Sequence, residues 1–252
     1  MNFYKIIISY DGSDFYGWQI QPHKPTITQT LQNTFYKIFK KKITLLGASR
    51  TDSGVHALGQ VARFKADIAI ADEDLLAIWN RQLPKSIVIR SITKVSPKFH
   101  PFVNVQQKIY YYTIFLKRPL PFIARYGWYY SFIDRVDFDI FFKGLNLYKG
   151  THNFGSFCKH EEKKSLIRTI DSISVKQLNH WNALLITIKG KSFLRFQIRR
   201  MIGYALDVAR RDNLGVDYIQ YMLDNPNPEQ NLVKAASSGL CLRKVIYHEP
   251  NE

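Results

Sequence analysis

Apolar and polar residues alternate from Phe3 to Tyr10, and the alternation stops at Asp11-Gly12. This pattern predicts a strand that runs into a turn. Thr26 and Gln29 then form a T-x-x-Q capping box, and Ile27, Leu31, Phe35, Ile38 and Phe39 recur on one helical face, closed by Lys40, Lys41 and Lys42. The apolar run Ile43 to Ala48 feeds a polar turn from Ser49 to Gly54, after which Val61, Arg63 and Phe64 predict a returning strand, so Asp52 falls between two strands. A short helix from Asp72 to Asn80 and a strand from Ile87 to Val95 complete a β-α-β-β-α-β order.

The second half uses similar elements. The pattern predicts a strand over Ile109 to Leu116, a helix around Phe138 to Leu147, and strands near Ile167 to Val175 and Leu184 to Ile188. A longer helix follows Leu194, with Ile198, Met201, Ile202, Ala205, Leu206 and Ala209 on its buried stripe and Arg195, Arg199 and Arg200 off it. Another helix and a strand from Leu240 to Tyr247 end the chain. Strand pairs interleaved with helices favour an α+β fold. The expected division is an N-terminal half over 1–105 and a C-terminal half over 106–252, with the Pro- and Arg-containing stretch Lys117 to Arg125 as connection.

Charge narrows the partners. Lys plus Arg number 36 against 20 Asp plus Glu, a formal net charge of +16, while 46% hydrophobic residues suffice for a folded core. Such an excess favours a polyanion, nucleic acid first. A membrane surface is the weaker candidate, since no apolar run approaches the roughly 18 residues a spanning helix needs, and the start MNFYKIIISYDG lacks the basic and long apolar regions of a leader. A cytoplasmic location is the expectation. Two cysteines, Cys158 and Cys241, make neither a CxxC pair nor a disulfide framework.

Chemistry on a nucleic-acid base needs a nucleophile or base in a cleft, cations for phosphate, and an aromatic face for stacking. Arg50-Thr51-Asp52-Ser53-Gly54 sets a carboxylate beside a cation and a turn-forming glycine, although Asp-Ser-Gly is also a common surface turn. Tyr110 and Tyr112 share one strand face and Tyr111 takes the other, as functional aromatics or as ordinary β-rich packing. Arg195 and Arg199, four apart, suit phosphates or a carboxylate, and equally a solvated helix face. His152, Cys158 and His160 lack the fourth ligand and the spacing of a zinc site, so no metal is expected. With neither GxxxxGK[ST] nor GxGxxG present, no cofactor is expected either.

Taken together, these segments resemble one family. Ser49-Arg50-Thr51-Asp52-Ser53-Gly54-Val55-His56-Ala57 with Gly59-Gln60-Val61 is similar to the GRTDAGVHA…GQV signature of the TruA family of tRNA pseudouridine synthases. Tyr10-Asp11-Gly12 with Gly17-Trp18-Gln19 resembles its YDG…GWQ, and Asn80 with Leu83-Pro84 its N..LP. Phe99-His100 with Lys108, Tyr110 and Tyr112 resembles FH…R.Y.Y, and Phe193-Leu194 with Ile198-Arg199 and Gly203 resembles FL..MVR..G. The chain departs from the pattern with Ser49 for Gly, Ser53 for Ala, Pro101-Phe102 for Ala-Arg, and no proline in Ala235 to Ser238.

The resemblance implies a pseudouridine synthase fold: two similar α+β halves with mixed or antiparallel sheets flanked by helices around a central basic cleft, usually as a homodimer. It implies an isomerase that converts uridine to pseudouridine in the anticodon arm of tRNA at positions 38–40, without metal or organic cofactor. Asp52 would be the catalytic carboxylate, attacking ribose or base; Tyr110 would stack on the target base, Arg199 would pair with the aspartate, and Arg50 would enter the RNA stack as the nucleotide flips out. The same chemistry on another RNA or tRNA position, or a non-catalytic RNA-binding module, are the alternatives.

Overall fold

Side-chain alternation sets the first strand. In β1 (Asn2–Tyr10) the even positions Tyr4, Ile6, Ile8 and Tyr10 are buried while the odd ones are not. A computed structural model of the chain describes residues 1–159, 165–230 and 232–248. After β1 come α1 (Ile27–Phe39), β2 (Leu46–Gly47), β3 (His56–Ala66), α2 (Asp72–Gln82), β4 (Ile87–Val95) and β5 (Val105–Phe115). These are followed by β6 (Trp128–Tyr129), α3 (Phe138–Leu147), β7 (Gly150–Asn153), β8 (Ile167–Leu178), β9 (Ala183–Gly190), α4 (Gln197–Arg210), α5 (Val216–Asp224) and β10 (Leu240–Tyr247). The fold is mixed α+β, and its strands pair mostly antiparallel.

The chain forms two units. Met1–Lys108 with the stretch from Cys241 onward makes the first, and Ile109–Leu240 the second. In the first unit the strands run β4-β1-β3-β10, with β2 also on β3. β1 pairs antiparallel with β3, setting Tyr4 opposite Phe64, and the two rings stack at 5.0 Å. Phe35 from α1 and Trp79 from α2 close on Phe64 at 5.6 and 5.5 Å, forming an aromatic core whose members are all buried. Thr26 caps α1 by accepting from the Gln29 amide at 3.4 Å, and Lys40 ends the helix in the left-handed conformation. Asn80 of the N..LP segment turns out to be a clamp: its side chain both donates to and accepts from the Ile89 backbone at 2.8 Å, pinning α2 to β4.

In the second unit the order is β5-β9-β8-β7, with β6 on β5. β8 and β9 pair antiparallel with Ile173 opposite Ile188, and α3 packs on both α4 and α5. Three features differ from the sequence reading. The stretch Lys117 to Arg125 lies within the second unit, between β5 and β6, so it does not connect the halves: the chain changes unit inside β5, where the continuous strand leaves no compositional mark. The last strand belongs with the N-terminal unit, pairing parallel to β3 through Cys241–His56 and Leu242–Ala57, whereas the expected C-terminal half ran through 252. Finally, β6 and β7 are too short to announce themselves by alternation.

Candidate active site

The segment between β2 and β3 carries Arg50 and Asp52, and its backbone is held at several points. Gln60 is fully buried on β3. Its side chain accepts from the Ser49 amide at 3.2 Å and donates to the Ser49 carbonyl at 2.6 Å. The Trp18 amide donates to the Thr51 carbonyl at 3.1 Å, and the Tyr10 and Thr51 hydroxyls share a hydrogen bond of 2.7 Å. The Val55 amide closes a turn onto the Asp52 carbonyl at 3.2 Å, with Gly54 at φ 76° in the third position, where that turn needs a positive angle. The Gly54 amide and the Ser53 hydroxyl both reach the Phe15 carbonyl. Buried hydrogen bonds of this kind are worth about 1 kcal/mol each, and several on one short loop hold it in a single arrangement. Within this clamp Asp52 is half-buried and Arg50 is exposed.

Lys108 completes the base of the loop. Its ammonium donates to the Ala48 carbonyl at 2.7 Å. Burial pulls its pKa from 10.5 down to about 8. Above about pH 8 the folded chain releases a proton that the unfolded chain keeps up to 10.5, so stability rises with pH across that window. The contribution of Lys108 to this rise between pH 7.5 and 9.5 is about 2 kcal/mol. The wild type should gain that much relative to Lys108→Met, with denaturant midpoints of both proteins at the two pH values as the check. The same change with pH in both proteins would place the titration elsewhere. The difference between the two proteins is the quantity to read because the Cys241 thiol, pushed by burial from 9.0 up to about 12, and the raised hydroxyls of Tyr112, Tyr148, Tyr204 and Tyr247 draw stability down in both from about pH 9.

The second unit carries Tyr110 and Arg199. Tyr110 lies on β5, 8% exposed, edge-on to Phe193 at 5.1 Å. Tyr112 shares its face and is fully buried; its hydroxyl donates to the Ala236 carbonyl at 2.8 Å. Burial drives that hydroxyl's pKa well up, and Arg199 pulls the other way. Arg199 is itself only 8% exposed, which removes the solvated-face reading for this residue. The cause is tertiary: the Arg199 Nε donates to the Ala235 carbonyl at 2.8 Å, and the Ala235 amide returns a bond to the Arg199 carbonyl at 3.0 Å, so the chain before β10 covers that side of α4. Its two companions differ. Arg195 is exposed, while Arg200 donates to the Cys158 carbonyl. Phe196, at φ 65° ahead of α4, carries Arg195, Arg199 and Lys234 around its ring at 5.0, 5.6 and 4.2 Å.

Sequence reasoning singled out the side chains expected to face substrate and missed those that hold them: Tyr10, Trp18, Gln60 and Lys108 around the Asp52 loop, and the Ala235 and Ala236 carbonyls in the second unit. The first four lie inside quoted motifs, which was the available signal; a backbone carbonyl has none. Of the residues weighed for a metal, His152 bonds the Lys149 carbonyl, Cys158 is fully buried, and His160 lies outside the described residues. Among the described residues no three His, Cys, Asp or Glu side chains converge, and no helix is long and apolar enough to cross a membrane.

The chain matches the family described as tRNA pseudouridine synthase over residues 6–102 and 145–248. It is 34% identical to tRNA pseudouridine synthase A of Thermodesulfovibrio yellowstonii, with 96% of this chain and 98% of that protein aligned. It is also 34% identical to tRNA pseudouridine synthase A 1 of Protochlamydia amoebophila, over 100% of this chain and 98% of the relative. A solved Cbf5–Nop10–Gar1 complex overlaps with a TM-score of 0.34 at 11% identity, over 82% of this chain and 54% of that one, too slight a likeness to bear on function. An α+β protein whose clamped loop presents a carboxylate, matched over its whole length in this way, belongs to the tRNA pseudouridine synthase family, whose members are isomerases that convert uridine to pseudouridine.

Proposed function

We propose that this protein isomerises uridine to pseudouridine in the anticodon stem-loop of tRNA, at positions 38–40, as a cytoplasmic homodimer, with Asp52 as the attacking carboxylate. The observation that carries the reading is the loop itself: its backbone is clamped at Ala48, Ser49, Thr51, Asp52, Gly54 and Val55 while it presents Asp52 half-exposed beside an exposed Arg50.

The chemistry follows from the product. The bond between N1 of uracil and C1′ of ribose must break, and a bond from C5 to C1′ must form. Asp52, ionised, adds to the target nucleotide and the glycosidic bond opens. The freed uracil turns within the site, C5 joins C1′, the carboxylate leaves, C5 gives its proton to solvent, and N1 ends with a proton. Nothing is oxidised or reduced, so no electron carrier is called for. In this proposal Tyr110 stacks on the base, Arg199 keeps the carboxylate ionised, as a neighbouring guanidinium does, and Arg50 fills the gap left by the flipped nucleotide. Flipping costs a few kcal/mol, which phosphate contacts and the inserted side chain offset; the +16 charge favours the former. The roles of these four residues rest on the motif match.

Tritium release from tRNA labelled at C5 of uridine tests the reaction, and sequencing the product for pseudouridine tests the position. Release with pseudouridine at 38–40 is the expected result. Pseudouridine elsewhere would reassign the target, and binding without release would reduce the protein to an RNA-binding module.

A further inference from the structure

Where α4 ends, an open cavity of about 560 Å³ is lined by Arg135, Arg210, Arg211, Asp212 and Asn213, none of which the proposed reaction uses. Two of its three guanidinium groups have an ordinary explanation. Arg210 and Arg211 stand at the C-terminal end of α4, where cations complement the helix dipole. Asp207, only 5% exposed, takes one with each oxygen: Oδ1 to Arg210 Nη2 at 2.8 Å and Oδ2 to Arg211 Nη2 at 3.0 Å. Arg135 has no such explanation. It comes from the short turn over Ile133–Arg135, is exposed, and has no carboxylate partner among the described residues. Its guanidinium nevertheless lies 6.0 Å from the Phe132 ring, which already carries Arg210 at 4.8 Å.

Three cations thus converge on one concavity, and its acids do not balance them. Asp207 is fully used by two of them, and Asp212 is exposed. Each arginine has five N–H donors, so the pairing with Asp207 leaves most of them available. The arrangement is also held in advance of any ligand. Tyr130 lies within electrostatic reach of Arg210, which opposes the upward pull of burial on its hydroxyl pKa, and the Asp137 amide ties the neighbouring chain to the Ala209 carbonyl at 2.9 Å. Phe132, 43% exposed beside these groups, adds an aromatic face. Guanidinium groups beside an open aromatic suit a nucleic-acid backbone with a neighbouring base or sugar better than a free anion.

We propose that Arg135, Arg210 and Arg211 form a seat for a phosphodiester of the RNA substrate, a binding site in addition to the residues assigned to the reaction. This rests on the reading of the protein as a tRNA-modifying enzyme. The seat contributes affinity and register rather than chemistry. Asp212 at its edge opposes the RNA and limits that affinity.

The test pairs substitutions of opposite sign. The double variant R135Q/R211Q keeps Arg210 on Asp207 and should stay folded, with its melting temperature lowered by only a few degrees through the loss of the Arg211–Asp207 pair. Its tRNA affinity should fall about tenfold, its log–log salt slope should become shallower by about 1 for each phosphate the variant no longer neutralises, and in turnover the loss should fall on KM. D212N should tighten tRNA binding, a direction that structural damage would not produce. An unchanged slope in the double variant, or weaker binding in D212N, overturns the proposal. Inorganic phosphate binding that the double variant abolishes while tRNA affinity stays intact would make this a small-anion site and overturn the RNA assignment. Failure of the wild type to bind tRNA at all would sink the functional reading too; binding and turnover by the wild type with no effect of either variant would sink the seat alone.

Discussion

Asp52→Asn is expected to reduce tritium release from C5-labelled tRNA to background while leaving tRNA affinity within several-fold. The amide keeps the shape and most of the hydrogen-bonding capacity of the carboxylate but cannot act as a nucleophile. The fold should tolerate the change, because the loop is held by its backbone and by Thr51, Gln60 and Lys108, not by the aspartate alone. The variant is therefore a clean separation of binding from chemistry: affinity measured on the same tRNA, beside single-turnover release, reads both. Release at the wild-type rate would end the mechanism proposed here. Loss of both affinity and release would mean that Asp52 holds the RNA surface together and is not specifically the attacking group.

Local periodicity was enough for the elements that bury one face. The alternation from Phe3 to Tyr10 reappears as the buried and half-buried positions of β1, and the apolar stripe after Thr26 becomes α1 with its cap. It was not enough where burial comes from distant chain. The stripe on α4 was legible, but nearly the whole helix is buried from Gln197 to Ala209, because α3 and α5 pack on it and residues near Ala235 fold over Arg199. Nothing near Arg199 in sequence encodes that contact. The return of β10 to β3 is likewise a pairing between residues 56 and 241, with no local trace. Proline and arginine between Lys117 and Arg125 signalled a loop correctly and a boundary incorrectly, since composition marks where chain leaves regular structure and not where a unit ends.

The candidate site rests on its motifs more than on its local physics. Taken singly, Arg50-Thr51-Asp52-Ser53-Gly54 is an ordinary turn; what distinguishes it is the number of buried groups outside it that hold its backbone. Apart from the Phe15 carbonyl, those groups belong to the other motifs. Tyr10, Gly17 and Trp18 lie in the N-terminal segments, Gln60 follows the loop, and Lys108 precedes Tyr110, so segments far apart in sequence serve one short stretch of chain. Much of what a motif scan would label catalytic is scaffold for the carboxylate.

The strongest consequence of that scaffold is at Gly17. Its φ is +89°, and a Cβ there would lie 2.6 Å from the Thr51 carbonyl oxygen, 3.0 Å from the Asp52 carbonyl carbon and 3.1 Å from the Ser53 nitrogen. All three are backbone atoms of the loop, so no side chain can rotate away, and the Trp18 amide next to Gly17 is bound to that same Thr51 carbonyl. Gly17→Ala must therefore push the loop, and with it Asp52, by a sizeable fraction of an ångström. A displacement of about 1 Å at a reacting group can lower the rate about a hundredfold, whereas the backbone strain itself costs of order 1–3 kcal/mol. The expected result is a variant that still folds and binds tRNA but whose kcat falls by about two orders of magnitude. Gly215→Ala is the control: φ there is −102°, and a Cβ would meet only the Asp217 nitrogen at 4.0 Å, so both kcat and melting temperature should match the wild type. Circular dichroism and thermal melting of the two variants separate a shifted loop from a lost fold. Full turnover by Gly17→Ala would show that Asp52 tolerates displacement and that the clamped loop is not what places it.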